Sequence, residues 1–417
     1  MFYPSNSIYE FNDDLIVIIK VTFKCNLRCK YCLYQQNPEN NNGAERISFE
    51  VLEKFCDIAF PHFKNIIIIW HGGEPTIVGK KVLEDYVSII NQKCKVYNIS
   101  SIAQSIQTNG TLMDEELIKY FKNQNISIGI SYDGLQNDFL RGKTQNVYRT
   151  MNILQRYDMP VRSVLIVSGI NCENLIEEYE HAKKIHISVD FSPYEEDSSI
   201  DNKDYLADEL KISSEKYCTK MEELFHYWIE DPECSIRIEP FSTIIRDSYL
   251  SFLGRYSHHQ CLKVGLNPNG EIFRCGMLES VMPYGNVNNM SDIREIKKAK
   301  NYMAFLNASK IRQEKCRKDC NVYEFCRGDC ANDAASILEL ENYGGFNCRI
   351  FKELFGYVTK YVKENEYFEC VNKIKNPYLM NMLNRIKLHK KSTPNRECKI
   401  KLGISSELLY IIIYFRI

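Results

Sequence analysis

Three cysteines within one short loop constrain this chain more than any other feature. Cys25, Cys29 and Cys32 lie in the sequence CNLRCKYC, directly after an apolar run at 15–23 that predicts a buried strand. Thiolates this close together can each bind one iron of a [4Fe–4S] cube, and the loop supplies no fourth thiolate. One iron would therefore keep open coordination positions, which a cofactor with a chelating amine and carboxylate can fill.

The CNLRCKYC segment resembles the cluster loop of the radical S-adenosylmethionine (SAM) superfamily. The resemblance implies that the unique iron binds the amino and carboxylate groups of SAM. It also implies that Tyr31, the aromatic residue before the last cysteine, lies against the adenine. The alternative for such a loop in isolation is a zinc knuckle, or half of one.

Composition narrows the class of protein further. The chain has 417 residues, a net charge of −1 and 17 cysteines. A near-neutral charge gives no signature of nucleic-acid or membrane binding, and residues 1–14 show no signal-peptide pattern. No apolar stretch is long enough to span a bilayer. Clustered cysteines without an export signal favour metal ligation over disulfides, and we expect a reducing cytoplasm.

Alternating strand and helix patterns predict an α/β fold. Six β-branched runs alternate with amphipathic segments of helical length, which favours parallel strands joined by crossovers. The predicted strands are 15–23, 66–70, 102–107, 126–131, 161–167 and 185–190, and the predicted helices are 49–60, 82–93, 114–123, 147–157 and 174–184. These make six strand-plus-helix units, in which the last helix has the weakest pattern, and they predict a partial (β/α)6 TIM-like barrel with chemistry at the carboxyl ends of the strands. The resemblance to the radical SAM superfamily implies a barrel of the radical SAM type.

The loop after the second predicted strand carries Gly72, Gly73 and Glu74, followed by proline. Paired glycines let a backbone approach a ligand closely, and a carboxylate accepts hydrogen bonds from an ammonium group. The segment also suits an ordinary turn. It resembles the GGEP motif of the radical SAM family, which implies binding of the SAM amino group.

The loops after the third and fourth predicted strands read QTNGT at 107–111 and SYDG at 131–134. Both contain common turn dipeptides. They resemble segments that line the SAM pocket of anaerobic sulfatase-maturing enzymes. That resemblance implies that Ser131 contacts the SAM carboxylate, with Thr108 and Asn109 as further candidates. Arg141 could pair with the same carboxylate.

A second group of cysteines lies in the last third of the chain. Its members are Cys261, Cys275, Cys316, Cys320, Cys326, Cys330 and Cys348. The segment 261–275 predicts a hairpin with Asn269-Gly270 as its turn, which would bring its two cysteines together. The alternative to iron–sulfur clusters is a pair of zinc sites, although seven cysteines do not fill two four-ligand sites.

This pattern resembles the SPASM extension of radical SAM enzymes, which carries two auxiliary [4Fe–4S] clusters. The resemblance implies two ligand sets. The first is Cys261, Cys275 and Cys330, and the second is Cys316, Cys320, Cys326 and Cys348. The first set lacks a fourth cysteine, and His258, His259 or a substrate thiolate could replace it. Sulfatase-maturing enzymes also have an aspartate, thought to accept a proton from the substrate, where this chain has Gly276.

The motifs divide the chain into five parts. These are an N-terminal extension at 1–14, the barrel at 15–230, a bridge at 231–254, the SPASM domain at 255–365 and a tail at 366–417 without a functional interpretation. About fourteen residues precede the first predicted strand. We therefore expect no separate leader-binding domain, and recognition of a leader peptide would need a separate protein, the tail or the barrel surface.

The first functional hypothesis is a peptide maturase that oxidises or crosslinks side chains. It would use SAM, three [4Fe–4S] clusters and an electron donor such as flavodoxin or ferredoxin. The second is an anaerobic sulfatase-maturing enzyme, which Gly276 opposes. A radical SAM enzyme acting on a small molecule is a third. A non-catalytic zinc or electron-transfer protein is a fourth, and it leaves the GGEP motif without a purpose. The sequence identifies no catalytic side chain.

Overall fold

The computed structural model describes residues 13–32, 46–195, 207–256, 262–273, 283–327 and 345–388. Their strands form one sheet in the order β10-β9-β8-β1-β2-β3-β4-β5-β6-β7. The strands are β1 (Asp14–Thr22), β2 (Asn65–Gly72), β3 (Ser101–Thr108), β4 (Ile126–Ser131), β5 (Arg162–Val167), β6 (Ser188–Pro193), β7 (Ile238–Glu239), β8 (Leu262–Leu266), β9 (Glu271–Phe273) and β10 (Pro283–Asn286).

Long helices pack on one face of this sheet. They are α1 (Phe49–Ala59), α2 (Lys80–Val96), α3 (Glu115–Asn123), α4 (Thr144–Arg156), α5 (Leu175–Lys184), α6 (Ser214–Ile229), α7 (Phe241–Phe252), α8 (Lys300–Asp319), α9 (Phe346–Glu364) and α10 (Pro377–Leu388). Single-turn helices lie at Asn137–Leu140, Ala207–Leu210 and Tyr323–Cys326. None of the described helices has the length and apolar character needed to cross a membrane.

Eight neighbouring strands, from β8 through β1 to β7, run parallel to one another. The first six β/α units follow the predicted order, and their strands lie within a few residues of the predicted ranges. The partial barrel is therefore confirmed. In the part of the chain that the structure describes, β7 pairs only with β6, and β8 pairs with β1 and β9. The wall is thus open between β7 and β8.

Alternation along each strand separates an outer face from an inner one. Leu15, Val17 and Ile19 belong to the apolar core that the helices share with the sheet. Ile16 and Ile18, between them, are equally buried but lie outside that core. Since successive side chains of a strand point to opposite faces, these alternate residues face the concave interior of the barrel. The side chains that face the barrel interior can therefore be identified from the alternation along each strand.

The predicted hairpin of the second cysteine module is confirmed. Strands β8 and β9 pair antiparallel around Gly270, which has a φ of 86° that favours glycine. The sequence did not predict that β8 would also pair with β1, with Leu266 opposite Ile19. With β7 in the predicted bridge and β8 in the predicted SPASM domain, the barrel sheet extends beyond residue 230.

Helices from the C-terminal part of the chain cover the outer surface near α6. The ring of Tyr361 on α9 lies 5.3 Å from that of Phe225 on α6, in an edge-on arrangement. Asn376, just before α10, donates from its side chain to the carbonyl of Trp228 at 2.7 Å. The second module therefore packs on the barrel and shares its apolar core.

Truncating Leu266 should test whether β8 is an integral barrel strand. Leu266 is fully buried, so Leu266→Ala should lower the free energy of unfolding by about 2–5 kcal/mol through lost burial and a cavity. Both tryptophans, Trp70 and Trp228, lie in the barrel core. Their fluorescence during urea unfolding of the reconstituted protein should shift to a lower midpoint. Val96→Ala, at a 66% exposed residue, is the control and should leave the midpoint unchanged. An unchanged midpoint for Leu266→Ala would contradict the pairing.

Candidate functional site

The cysteine loop follows β1 directly, at the carboxyl end of the barrel strands. The amide of Cys32 donates to the carbonyl of Cys29 at 3.1 Å, which folds the loop back on itself. Burial raises the pKa of Cys29 to about 11, against the attraction of Arg141, while the Cys32 and Cys25 thiols add to the rise. The three thiols therefore lie within electrostatic range of one another.

Nitrogen donors surround two of these sulfur atoms. The Cys25 sulfur accepts from the amide of Leu27 at 3.4 Å and from Asn109 Nδ2 at 3.8 Å. The Cys29 sulfur accepts from Arg141 Nη1 at 3.9 Å. Such donors stabilise thiolates and tune the potential of a cluster bound to them. The chemistry of this donor set therefore fits an iron–sulfur cluster on Cys25, Cys29 and Cys32.

Gly72 and Gly73 let the end of β2 lie against the cysteine loop. A Cβ atom on Gly73 would stand 2.5 Å from the carbonyl oxygens of both Phe23 and Lys24, and one on Gly72 would stand 2.3 Å from that of Thr22. The amide of Gly73 donates to the Thr22 carbonyl at 2.7 Å. The close approach that these glycines permit here is between two protein backbones.

Glu74 is fully buried and accepts four hydrogen bonds from the protein. Its Oε1 accepts from the amide and hydroxyl of Thr76 at 2.9 and 2.5 Å and from the Thr108 hydroxyl at 2.7 Å. Its Oε2 accepts from the amide of Asn109 at 2.7 Å. Burial raises the pKa of Glu74, although these hydrogen bonds oppose the rise. The carboxylate therefore joins the loops after β2 and β3.

Asn109 continues this network into the cysteine loop. Its side-chain amide donates to Asn26 Oδ1 at 2.9 Å, and its Oδ1 accepts from the amide and hydroxyl of Thr111. Asn26 donates in turn to the Thr111 hydroxyl at 2.8 Å. Thr108 and Asn109, predicted as SAM contacts, thus connect Glu74 to the loop that carries the cysteines.

Asp133 is the central residue of a second network, which the sequence interpretation missed. It is fully buried. Its Oδ2 accepts hydrogen bonds from the Tyr31 hydroxyl and from Arg141 Nε, the latter at 2.7 Å. Its Oδ1 accepts from the amide of Ile166 at 2.9 Å. Burial lowers the pKa of Arg141, but Asp133, Tyr31 and Cys29 outweigh burial and raise it overall. The guanidinium predicted for the SAM carboxylate is therefore already paired with Asp133.

Two sequence signals could have revealed Asp133. It comes two residues after Ser131, at the end of β4, and the basic residue Arg141 follows in the same loop. Interpreting Asp133-Gly134 as a turn dipeptide leaves the role of the Asp133 carboxylate unassigned. Ser131 itself accepts a hydrogen bond from Gln107 Nε2 at 3.0 Å. Unlike Asn109 and Arg141, it makes no described hydrogen bond to the cysteine loop.

The structure brings four cysteines of the second module together. Cys316 lies at the end of α8, Cys320 caps that helix, Cys326 ends a single-turn helix and Cys348 lies in the first turn of α9. Burial raises the pKa of Cys316 to about 11, and the thiols of Cys320, Cys348 and Cys326 raise it further, against Arg312. The thiols of Cys320, Cys326 and Cys348 therefore lie within electrostatic range of Cys316, and their role as one ligand set stays a prediction.

The first predicted auxiliary set lies outside the described residues. This holds for Cys261, Cys275 and Cys330, and also for His258, His259 and Gly276. Within the described ranges, no three cysteine, histidine or acidic side chains converge as the ligands of one metal ion do. A cube binds each cysteine at a different iron, so its ligands are spaced more widely than those of a single zinc ion.

Comparison with known proteins identifies the barrel. Residues 19–185 match the Radical SAM superfamily. The chain therefore contains a radical SAM domain, and the parallel barrel with its cysteine loop is the structure of that domain.

Two curated relatives resemble the chain over most of its length. A cysteine-type anaerobic sulfatase-maturating enzyme of Clostridium novyi is 26% identical, across 82% of this chain and 94% of that protein. A serine-type enzyme of Bacteroides thetaiotaomicron is 23% identical, across 84% and 91%. The chain is thus a radical SAM enzyme that resembles sulfatase maturases, in its second module as well as its barrel.

A solved structure shows the same fold. The structure described as native anSMEcpe with bound AdoMet has a TM-score of 0.71 and 22% identity, and the match covers 84% of this chain and 98% of that one. A related structure of anSMEcpe holds both AdoMet and a Cp18Cys peptide, with a TM-score of 0.70. The match extends beyond the barrel into the region of the second module.

A side chain at position 73 should displace the cysteine loop. Gly73→Ala places a Cβ 2.5 Å from two carbonyl oxygens, so the backbone must move, and we expect at least a twofold loss of iron per chain after anaerobic reconstitution. Gly356→Ala is the matched control, because nothing lies within 4 Å of its Cβ, and alanine favours a helix interior. Equal iron contents in the two variants would show that this contact does not position the loop.

Proposed function

We propose that this enzyme oxidises or crosslinks side chains of a peptide or protein substrate. The observation that carries the proposal is the cysteine loop, with Cys25 and Cys29 held by N–H donors at the mouth of an open barrel. Similarity over 94% of a sulfatase-maturating relative supports a macromolecular substrate. The structure of anSMEcpe contains a bound Cp18Cys peptide. Because the two folds are alike, this supports a peptide substrate for the present chain.

Residues at the carboxyl ends of the barrel strands would bind the two cofactors, the cluster and SAM. Cys25, Cys29 and Cys32 would hold a [4Fe–4S] cluster, and SAM bound beside them would supply a 5′-deoxyadenosyl radical on reduction. Gly72, Gly73, Glu74, Thr108, Asn109, Ser131 and Arg141 are the proposed SAM contacts, with Tyr31 against the adenine. The protein binds and orients these groups and excludes water, while the cofactor supplies the reactive step.

The hydrogen bonds around Glu74 and Asp133 determine which atoms of Glu74 and Arg141 remain available to bind SAM. Glu74 Oε2 has one described donor, the amide of Asn109, so it keeps capacity to accept from an ammonium group. Arg141 uses Nε for Asp133 and Nη1 for Cys29. A SAM carboxylate would therefore meet a guanidinium that is already oriented, at little cost in side-chain entropy.

The second module would bind two auxiliary clusters that take part in oxidising the substrate. Cys316, Cys320, Cys326 and Cys348 would hold one auxiliary cluster, and Cys261, Cys275 and Cys330 would hold the other with a further ligand. Loss of a hydrogen atom leaves a substrate radical, and completing a two-electron oxidation requires one more electron and a proton to leave. An auxiliary cluster is the proposed electron acceptor, and a flavodoxin or ferredoxin the proposed electron donor.

Sulfatase maturation is the second candidate function. The curated relatives that cover most of this chain favour it. Gly276 opposes it, since the proton acceptor expected beside Cys275 has no carboxylate. The two candidates share the cofactors and differ in the substrate and in the group that accepts the proton.

Mass spectrometry should separate the candidates. The reconstituted enzyme would be incubated with SAM and dithionite, and with either a cysteine- or serine-type sulfatase peptide or a small peptide encoded beside its gene. We expect a mass loss from the encoded peptide, together with 5′-deoxyadenosine. Cys29→Ala is the control and should abolish both products.

Two outcomes would contradict parts of the proposal. Conversion of the sulfatase peptide to formylglycine would establish the second candidate, despite Gly276. Formation of 5′-deoxyadenosine with no change in any peptide tested, but turnover of a small molecule, would exclude a peptide substrate and leave the radical chemistry intact.

A further inference from the structure

Asp190 has a buried oxygen that no described part of the protein satisfies. The residue lies on β6 and is 6% exposed. Its Oδ1 accepts from the Ser192 hydroxyl at 3.2 Å, but its Oδ2 has no hydrogen-bond partner among the described residues. Buried carboxylate oxygens are almost always hydrogen-bonded, because an unpaired one loses its hydration without compensation. This exception therefore calls for a partner from outside the described residues, which a bound substrate can supply.

The carboxylate of Asp190 faces the interior of the barrel. Its neighbours on β6, Val189 and Phe191, belong to the apolar core beneath the helices, so Asp190 points to the concave side. One register row runs from Ser131 through Val164 to Asp190. Ser131 is a proposed SAM contact at the end of β4. Asp190 thus lies in the same row as the proposed cofactor site.

The surroundings of Asp190 carry an excess of negative charge. Glu239, its register partner on β7, is 7% exposed and is already paired with Arg237, and it also accepts from the amide of Thr243 at 3.1 Å. Burial and Glu239 raise the pKa of Asp190 to about 7, although Ser192 and Arg237 oppose the rise. Among the described contacts, Arg237 pairs with Glu239 and acts on Asp190 through its charge. A cation bound at Asp190 Oδ2 would compensate the second carboxylate.

We propose that Asp190 is a specificity residue of the substrate site and that its Oδ2 binds an ammonium or guanidinium group of a peptide substrate. This inference rests on the proposed peptide-modifying function and assigns it a substrate class, peptides with a lysine or arginine side chain that enters the barrel. The buried, like-charged neighbour Glu239 strengthens the attraction of the site for a cation. A neutral side chain of equal length would leave the same oxygen unpaired.

Binding of short probes tests this without turnover. The full chain, reconstituted and loaded with SAM, would be titrated with acetyl-Gly-Lys-Gly-amide, acetyl-Gly-Arg-Gly-amide and acetyl-Gly-norleucine-Gly-amide. We expect the norleucine probe to bind at least tenfold more weakly than the better cationic probe, as a charge-assisted hydrogen bond predicts. In Asp190→Asn and Asp190→Ala the preference should fall to within twofold. SAM affinity should be unchanged in both.

The matched control is Asp85→Asn. Asp85 lies on α2, where it pairs with Lys81 at the surface, and its loss should leave the tenfold preference intact. Equal binding of all three probes to the wild type, or a preference that survives both Asp190 variants, would overturn the proposal. A loss of SAM affinity in Asp190→Asn would also overturn it, by assigning the oxygen to the cofactor. Because no probe is modified, failure here is distinct from failure of the proposed reaction.

Discussion

The buried carboxylate of Glu74 is the interaction on which the cysteine loop most depends. A loop with no regular structure must obtain its shape from neighbours, and a buried carboxylate must be satisfied by donors. In this chain the donors that satisfy Glu74 come from the segments after β2 and β3, at Thr76, Thr108 and Asn109. Asn109 also holds Asn26 and the Cys25 sulfur. The hydrogen bonds that the Glu74 carboxylate requires therefore hold the loops after β1, β2 and β3 together.

A second buried charge fixes the opposite side of the loop. Asp133 holds Tyr31 and Arg141, and Arg141 reaches the Cys29 sulfur. Removing either partner of a buried ion pair leaves an unpaired charge, which is strongly destabilising. The hydrogen-bond networks of Glu74 and Asp133 therefore help to position Cys25 and Cys29.

Much of the fold could be predicted because its signals are local. The β-branched runs and amphipathic segments gave the six β/α units, and the Asn269-Gly270 turn gave the β8–β9 hairpin. The pairing of β8 with β1 could not be predicted, because it joins segments about 250 residues apart through backbone hydrogen bonds that leave no periodic pattern. The site followed the same rule. Motif spacing predicted the cysteines and Glu74 as site residues, whereas the role of Asp133 depends on its distance from Tyr31.

The most direct test of the account is a count of iron, labile sulfide and zinc per chain after anaerobic reconstitution, in the wild type and in Cys29→Ala. Three cubes require about twelve irons per chain, and loss of the SAM-binding cube should remove about four of them. The account predicts this difference, together with the loss of 5′-deoxyadenosine formation in the variant. Zinc in place of iron, or an iron content that Cys29→Ala leaves unchanged, would contradict it.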